Sequence, residues 1–107
     1  MRKYKNIRTQ IGEHWFDSKK EALRYTELCL LQKTKFIKNL ELQPKFELIC
    51  NGVKVGTYIA DFRYFDCKLN KVVVEDVKSP ITKTPVYNLK KRILLTLKPK
   101  VEITEIF

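Results

Sequence analysis

Two stretches rich in Val, Ile, Tyr and Phe, Tyr58 to Phe65 and Lys71 to Lys78, are separated by little more than Cys67-Lys68-Leu69-Asn70, and that spacing leaves the chain few options. Such segments read as strands, and the interruption reads as a hairpin loop. If the loop is centred between Lys68 and Leu69, Asp61 lies directly across from Asp76, with Cβ atoms about 5 Å apart on one side of the sheet. Strand period two puts Lys78 on that same face. Two carboxylates this close repel by roughly 3 kcal/mol at an effective dielectric near 20. Such a pairing calls for an offset. A hard divalent cation supplies one, because Mg²⁺ prefers carboxylate oxygens and keeps several waters.

The flanking sequence predicts helices on either side of these strands. Ser18 and Glu21 have capping-box spacing, and Phe16 stands near a hydrophobic-staple position, so a first helix is expected from about Lys19 to Thr34. Its inner face reads as Ala22, Tyr25, Leu28 and Cys29, widened by Leu23, Leu30 and Leu31. Phe36 to Leu48 reads as one long strand, with Pro44 implying an edge or a bulge at Gln43. Asn51-Gly52 is a strong hairpin signal and joins it to a second strand, Val53 to Phe65. Thr84-Pro85 reads as an N-cap and first helical residue. The second helix should run to about Leu97, with Val86, Leu89, Ile93 and Leu97 as its core stripe, and a last strand follows within Val101 to Phe107. The expected order is α-β-β-β-α-β, an α/β (α+β) domain with a central mixed sheet between two helices.

The chain's 107 residues suit a single domain, 1–107, and self-association as a homodimer would be a natural supplement. Lys and Arg number 22 against 12 Asp and Glu, a formal net charge of +10 spread along the chain. A folded basic domain of this kind suggests a polyanionic partner such as DNA. No apolar run is long enough to span a membrane and no signal peptide is evident, so no membrane association and a cytoplasmic location are expected. Cys29, Cys50 and Cys67 are odd in number and widely spaced, with His14 the one histidine, which argues for free thiols over a zinc site. Lys19, Lys20, Lys83, Lys90, Lys91 and Arg92 are candidate phosphate contacts. Gln43 could reach the site or mark the bulge, and Tyr4 or Tyr87 could stack on bases. For each of these a solvated or core role is the plainer alternative.

Asp61 followed by Asp76-Val77-Lys78 resembles the metal site of the PD-(D/E)xK nucleases, the restriction-endonuclease-like superfamily, with Ala60 where that superfamily often has Pro. The α-β-β-β-α-β order is its minimal core. The chain also resembles a family of small, mostly phage- and prophage-encoded proteins (DUF1064-like). Lys3-Tyr4, Phe16 to Ala22, Arg24-Tyr25, Leu42 to Phe46, Tyr58 to Phe62, Val74 to Lys78 and Thr84-Pro85 carry that likeness over almost the whole length. It is similar in turn to archaeal-type Holliday-junction resolvases, which have a glutamate on the first helix.

The resemblance implies a Mg²⁺- or Mn²⁺-dependent endonuclease that hydrolyses phosphodiester bonds of branched or junction DNA in phage recombination, with no small-molecule cofactor. One or two metal ions would be held by Asp61, Asp76, the Val77 carbonyl and Glu21, with Lys78 completing the catalytic set. The host bacterial cytoplasm is then the expected location. Glu21 remains readable as either ligand or cap, and Asp61 and Asp76 as surface carboxylates paired with Arg63 and Lys78. A noncatalytic nucleic-acid-binding module, or a subunit of a larger phage DNA-processing assembly, is the alternative function.

Overall fold

The structure is a computed structural model and describes residues 8–79 and 83–107. Its elements are β1 (Thr9–Ile11), β2 (His14–Phe16), α1 (Lys19–Lys33), β3 (Ile37–Leu42), β4 (Lys45–Cys50), β5 (Val53–Ile59), β6 (Phe62–Asp66), β7 (Lys71–Val77), α2 (Pro85–Leu95) and β8 (Ile103–Ile106). Four strands form a mixed sheet in the order β3-β6-β7-β8, in which β8 runs parallel to β7 and the other pairs are antiparallel. A parallel neighbour requires a crossover, and α2 supplies it. Taken with α1, the sheet follows the expected α-β-β-β-α-β order.

Strand period two divides the side chains of this sheet between two cores. Phe62, Tyr64 and Val73 point to one face and pack with Phe16, Ala22 and Leu28 from β2 and α1. Val74 and Ile103 point to the other and pack with Leu48, Tyr58, Ala60, Tyr87 and Leu94 from the β4-β5 ribbon and α2. The two helices therefore cover opposite faces.

The expected pair of long strands is bent. Residues 37–50 and 53–66 still form one hairpin through the Asn51-Gly52 turn, where both residues have positive φ as a tight hairpin turn requires. Midway it creases: Gln43 adopts φ +51° and Pro44 has no amide to give to a ladder. The strand expected over Phe36 to Leu48 thus becomes β3 and β4, and that over Val53 to Phe65 becomes β5 and β6. Hydrogen bonds from Gln43 N to Asp61 O (3.0 Å) and from Ala60 N to Pro44 O (3.1 Å) hold the crease together.

Thr9 to Phe16 forms the small β1-β2 hairpin, whose short strands carry too little periodicity to read. Two further expectations are corrected. On α1, Leu23 and Leu30 lie opposite the buried Ala22 and Leu28 and are exposed. On α2, which stops at Leu95, Ile93 packs against the core as expected and Leu97 does so just beyond the helix, but Tyr87 and Leu94 are the buried residues and Val86 and Leu89 face solvent, so the first half of the stripe is turned from the one expected. Tyr87 decides that rotation, since its ring fills the core and its hydroxyl donates to Glu105 at 2.8 Å. No helix among the described residues is long and apolar enough to cross a membrane.

Candidate functional site

The seat of α1 comes first, because it fixes where Glu21 can go. Ser18 caps the helix, its Oγ accepting the Glu21 amide at 3.1 Å. Glu21, Arg24 and Leu28 share one helical stripe facing the sheet. Arg24 grips the buried Glu75 with two hydrogen bonds, Nε to Oε1 at 2.8 Å and Nη2 to Oε2 at 2.6 Å, and Tyr64 OH donates to the same carboxylate. This fork fixes both the rotation and the height of α1 over β7. Glu75 is thereby neutralised on the α1 face, while its neighbour Asp76 points to the α2 face.

Where β6 and β7 part, Asp61 takes over a backbone role. Pairing runs in the expected register as far as Phe62 and Glu75. Beyond it the Asp61 amide donates to Glu75 O at 3.1 Å, and the Asp61 carboxylate accepts the Val77 amide at 2.7 Å. The side chain thus stands in for the carbonyl that β7 loses as its neighbour diverges. On its other side β7 stays tied to β8, with Lys78 N donating to Ile106 O at 2.8 Å. The divergence opens a cleft of about 240 Å³ walled by Glu21, Asp61, Asp17, Lys20, Val77 and Lys78, among others.

Asp76 and Lys78 reach the opposite layer. Asp76 is 3% exposed, and its Oδ2 has no hydrogen-bond partner. Lys78 Nζ sits 4.1 Å from the centroid of the Tyr87 ring, a cation–π contact that holds the ammonium beside Asp76. Glu105 pairs with Asp76 across the parallel ladder and so shares its face. Lys83 and Lys91 each reach Glu105 at 3.3 Å. Burial opposes ionisation of Glu105, but hydrogen bonds from Tyr87, Lys91 and Lys83 outweigh it and hold the carboxyl below its usual range.

The remaining carboxyls move the other way. Glu21 is pushed up to about 8, first by burial and then by the charges of Asp61, Asp17 and Asp76. Asp76 is pushed up to about 6 by burial, with Lys78 and hydrogen bonding at the Asp61 backbone opposing and Glu105 adding. Burial also raises Asp61, against the Val77 amide and Lys78. All three are harder to ionise than free carboxyls, and at Glu21 the shift passes neutral pH. Among the described residues no three Asp, Glu, His or Cys side chains stand close enough to chelate a cation unaided. Asp61 and Asp76, with Glu21 beside them, nevertheless fit a hard cation that completes its shell with backbone oxygen and water, and the orphaned Asp76 Oδ2 is the atom such an ion would satisfy.

A family described as "Protein of unknown function (DUF1064)" matches the chain over residues 1–107. The chain belongs to this family. No match was found among curated proteins or among solved structures.

In this DUF1064 member, Glu21, Asp61, Val77 and Lys78 wall one cleft at the parting of β6 and β7, and Asp76 lies beside it on the α2 side of β7. Lys20 joins them, its Nζ donating to the Lys78 carbonyl at 3.3 Å, while Lys19 and Arg92 are exposed. Gln43 is the bulge: its amide serves Asp61 O, and its positive φ belongs to the crease. Lys83 and Lys91 are engaged by Glu105, and Lys90 donates to Thr57 O at 3.1 Å. Tyr87 is buried under Lys78, which removes it as a free stacking platform. Tyr4 lies outside the described residues. Sequence reasoning passed over Asp17, Arg24, Glu75 as an anchor, and Glu105. Arg24 and Glu75 had a readable signal, since an arginine on the inner stripe of a helix needs a buried acid to face it.

Proposed function

We propose that this DUF1064 protein is a metal-dependent endodeoxyribonuclease of the PD-(D/E)xK superfamily. The observation that carries the reading is the gathering of Asp61, Asp76 and Lys78 where two paired strands separate, with one carboxylate oxygen of Asp76 buried and unpartnered. A binding surface for a polyanion has no use for acids driven up in pKa by burial; a cation site does.

Asp61 and Asp76, aided by Glu21 and the Val77 carbonyl, would hold one or two Mg²⁺ or Mn²⁺ ions, and the chemistry such ions would supply is charge neutralisation at the phosphate and a more acidic water. Asp61 is kept in place by the Val77 amide. Lys78, steadied on the Tyr87 ring, stands beside the phosphate, orients the attacking water and offsets charge as the P–O bond to the leaving oxygen breaks. Arg24 and Glu75 keep Glu21 at its post without touching the substrate. Backbone contacts from the net charge of +10 hold DNA without reading its sequence. Branched or four-way DNA, bound by a homodimer in phage recombination or DNA processing, is the preferred substrate.

The test is cleavage by the purified protein of linear, nicked, flapped and four-way DNA in Mg²⁺, Mn²⁺ or EDTA. Cleavage is expected with either metal and absent in EDTA. Asp61→Asn and Lys78→Ala should lose it while still binding DNA. Full activity in either variant refutes the assignment. DNA binding without cleavage in any metal leaves the noncatalytic module or assembly subunit as the function.

A further inference from the structure

A second unpartnered atom lies on the α2 side of the sheet. Tyr58, on β5, is only 5% exposed, and its hydroxyl has no hydrogen-bond partner. A buried hydroxyl left unpaired costs on the order of 1–3 kcal/mol. Core packing does not explain it, because Phe in the same place would avoid that cost. Tyr58 lines a cleft of about 380 Å³ between β5 and the start of α2. Lys78 walls both this cleft and the one holding Glu21 and Asp61, so the two are neighbours sharing one lysine.

The walls of this second cleft combine two kinds of surface. Lys78, Lys90 and Thr84 join Tyr58 as potential donors, and among the described residues its lining has no carboxylate. The Thr84 hydroxyl oxygen accepts the Tyr87 amide at 3.1 Å, which leaves its proton to donate. Lys90 spends one donor on Thr57 O at 3.1 Å, and an ammonium has two more. Val86 and Ile59, 62% and 52% exposed, add apolar surface that stands open among the described residues. Donors and positive charge beside a bare apolar wall match an anion joined to an apolar body, and the volume is that of a small-ligand site.

We propose that this cleft holds the nucleotide unit adjoining the scissile phosphate. Its phosphate is received by the Tyr58 hydroxyl, Thr84 and Lys90, and its sugar and base lie against Val86 and Ile59. The placement next to a scissile phosphate rests on the nuclease reading; the nucleotide site itself stands on the cleft.

The test uses thymidine 5′-monophosphate in EDTA, followed by amide chemical shifts of the folded chain, with Tyr58→Phe and the surface variant Val86→Asp beside wild type. Shifts are expected at Ile59, Thr84, Val86 and Lys90. Tyr58→Phe should weaken binding roughly tenfold, the effect of losing one hydrogen bond to a charged group. Its melting temperature without ligand should equal or exceed that of wild type, because the removed hydroxyl was unsatisfied. Shifts confined to other surfaces, or unchanged affinity in both variants, overturn the proposal. So does a Tyr58→Phe protein that melts lower yet binds as wild type, since the hydroxyl is then structural. Cleavage assays keep the two readings apart. Nucleotide binding as described in a wild type that cuts no DNA sinks the nuclease reading alone. An active wild type whose Tyr58→Phe and Val86→Asp variants keep full kcat and KM sinks the subsite alone.

Discussion

Asp76→Asn should make the metal-free protein more stable, and the gain should depend on pH in a defined way. Burial moves the carboxyl from 3.8 to about 6, chiefly through desolvation. At 1.36 kcal/mol per unit that shift corresponds to roughly 3 kcal/mol, which solvent screening reduces to the order of 1–2 kcal/mol. Because the folded state holds the proton more tightly than the unfolded chain, this contribution favours folding below pH 4, fades as pH rises towards 6, and is absent above. A neutral amide of the same shape escapes the loss. The variant and wild type should therefore melt together near pH 4, and the variant should melt roughly 4–8 °C higher at pH 7–8 in EDTA. Thermal unfolding followed by circular dichroism measures this. Mg²⁺ should then reverse the order, because metal at about 100 times its Kd adds roughly 2.7 kcal/mol to wild type and little to a variant lacking the ligand. Equal or lower stability of Asp76→Asn at pH 7–8 in EDTA would refute the claim that burial outweighs Lys78 at this carboxylate.

Glu21→Gln leaves the Ser18 cap intact, since that bond is to the Glu21 backbone amide, and by the same linkage as at Asp76 its melting without metal should match wild type near pH 4 and rise above it at pH 7. Wild type, with Glu21 near 8, should release close to one proton on binding Mg²⁺ at pH 7, and the variant almost none; calorimetry in buffers of differing protonation enthalpy reads the difference. Arg24→Ala should cost about 3–5 kcal/mol in denaturant unfolding by stranding Glu75, which is 1% exposed; a loss under 1 kcal/mol would mean that the fork does not seat α1. DNA affinity should fall steeply with salt, and light scattering should give a dimeric mass; a flat salt dependence or a monomer with and without DNA removes the corresponding claim.

The hairpin carrying Asp61 and Asp76 was legible because its turn is short and its period is two, so one register follows from the residues between Tyr58 and Lys78. Both helix starts were legible because Ser18 and Thr84 are local signals that depend only on their own next turn. The rotation of α2 was not. Val86, Leu89, Ile93 and Leu97 make the better apolar stripe on paper, but Tyr87 buries more area and finds Glu105 for its hydroxyl, a partner far along the chain. The crease at Gln43-Pro44 was half legible, since Pro44 announces a break but not that Ala60-Asp61 must break with it. Lys83 and Lys91 looked like free cations for the same reason that Tyr87 looked like surface: Glu105 carries no local mark of its role.

That crease makes the β4-β5 ribbon a lever. Its pivot is the pair of hydrogen bonds joining Gln43 and Pro44 to Asp61 and Ala60, and the pivot's far side is the Asp61 carboxylate clasping Val77. A load on the ribbon reaches the parted strands through Ala60 and Asp61, the two residues that join β5 to β6. On the proposed function, seating a substrate along the ribbon and setting the spacing of Asp61 from β7 would be a single displacement, and stiffness at Gln43 would act on the chemistry some distance away.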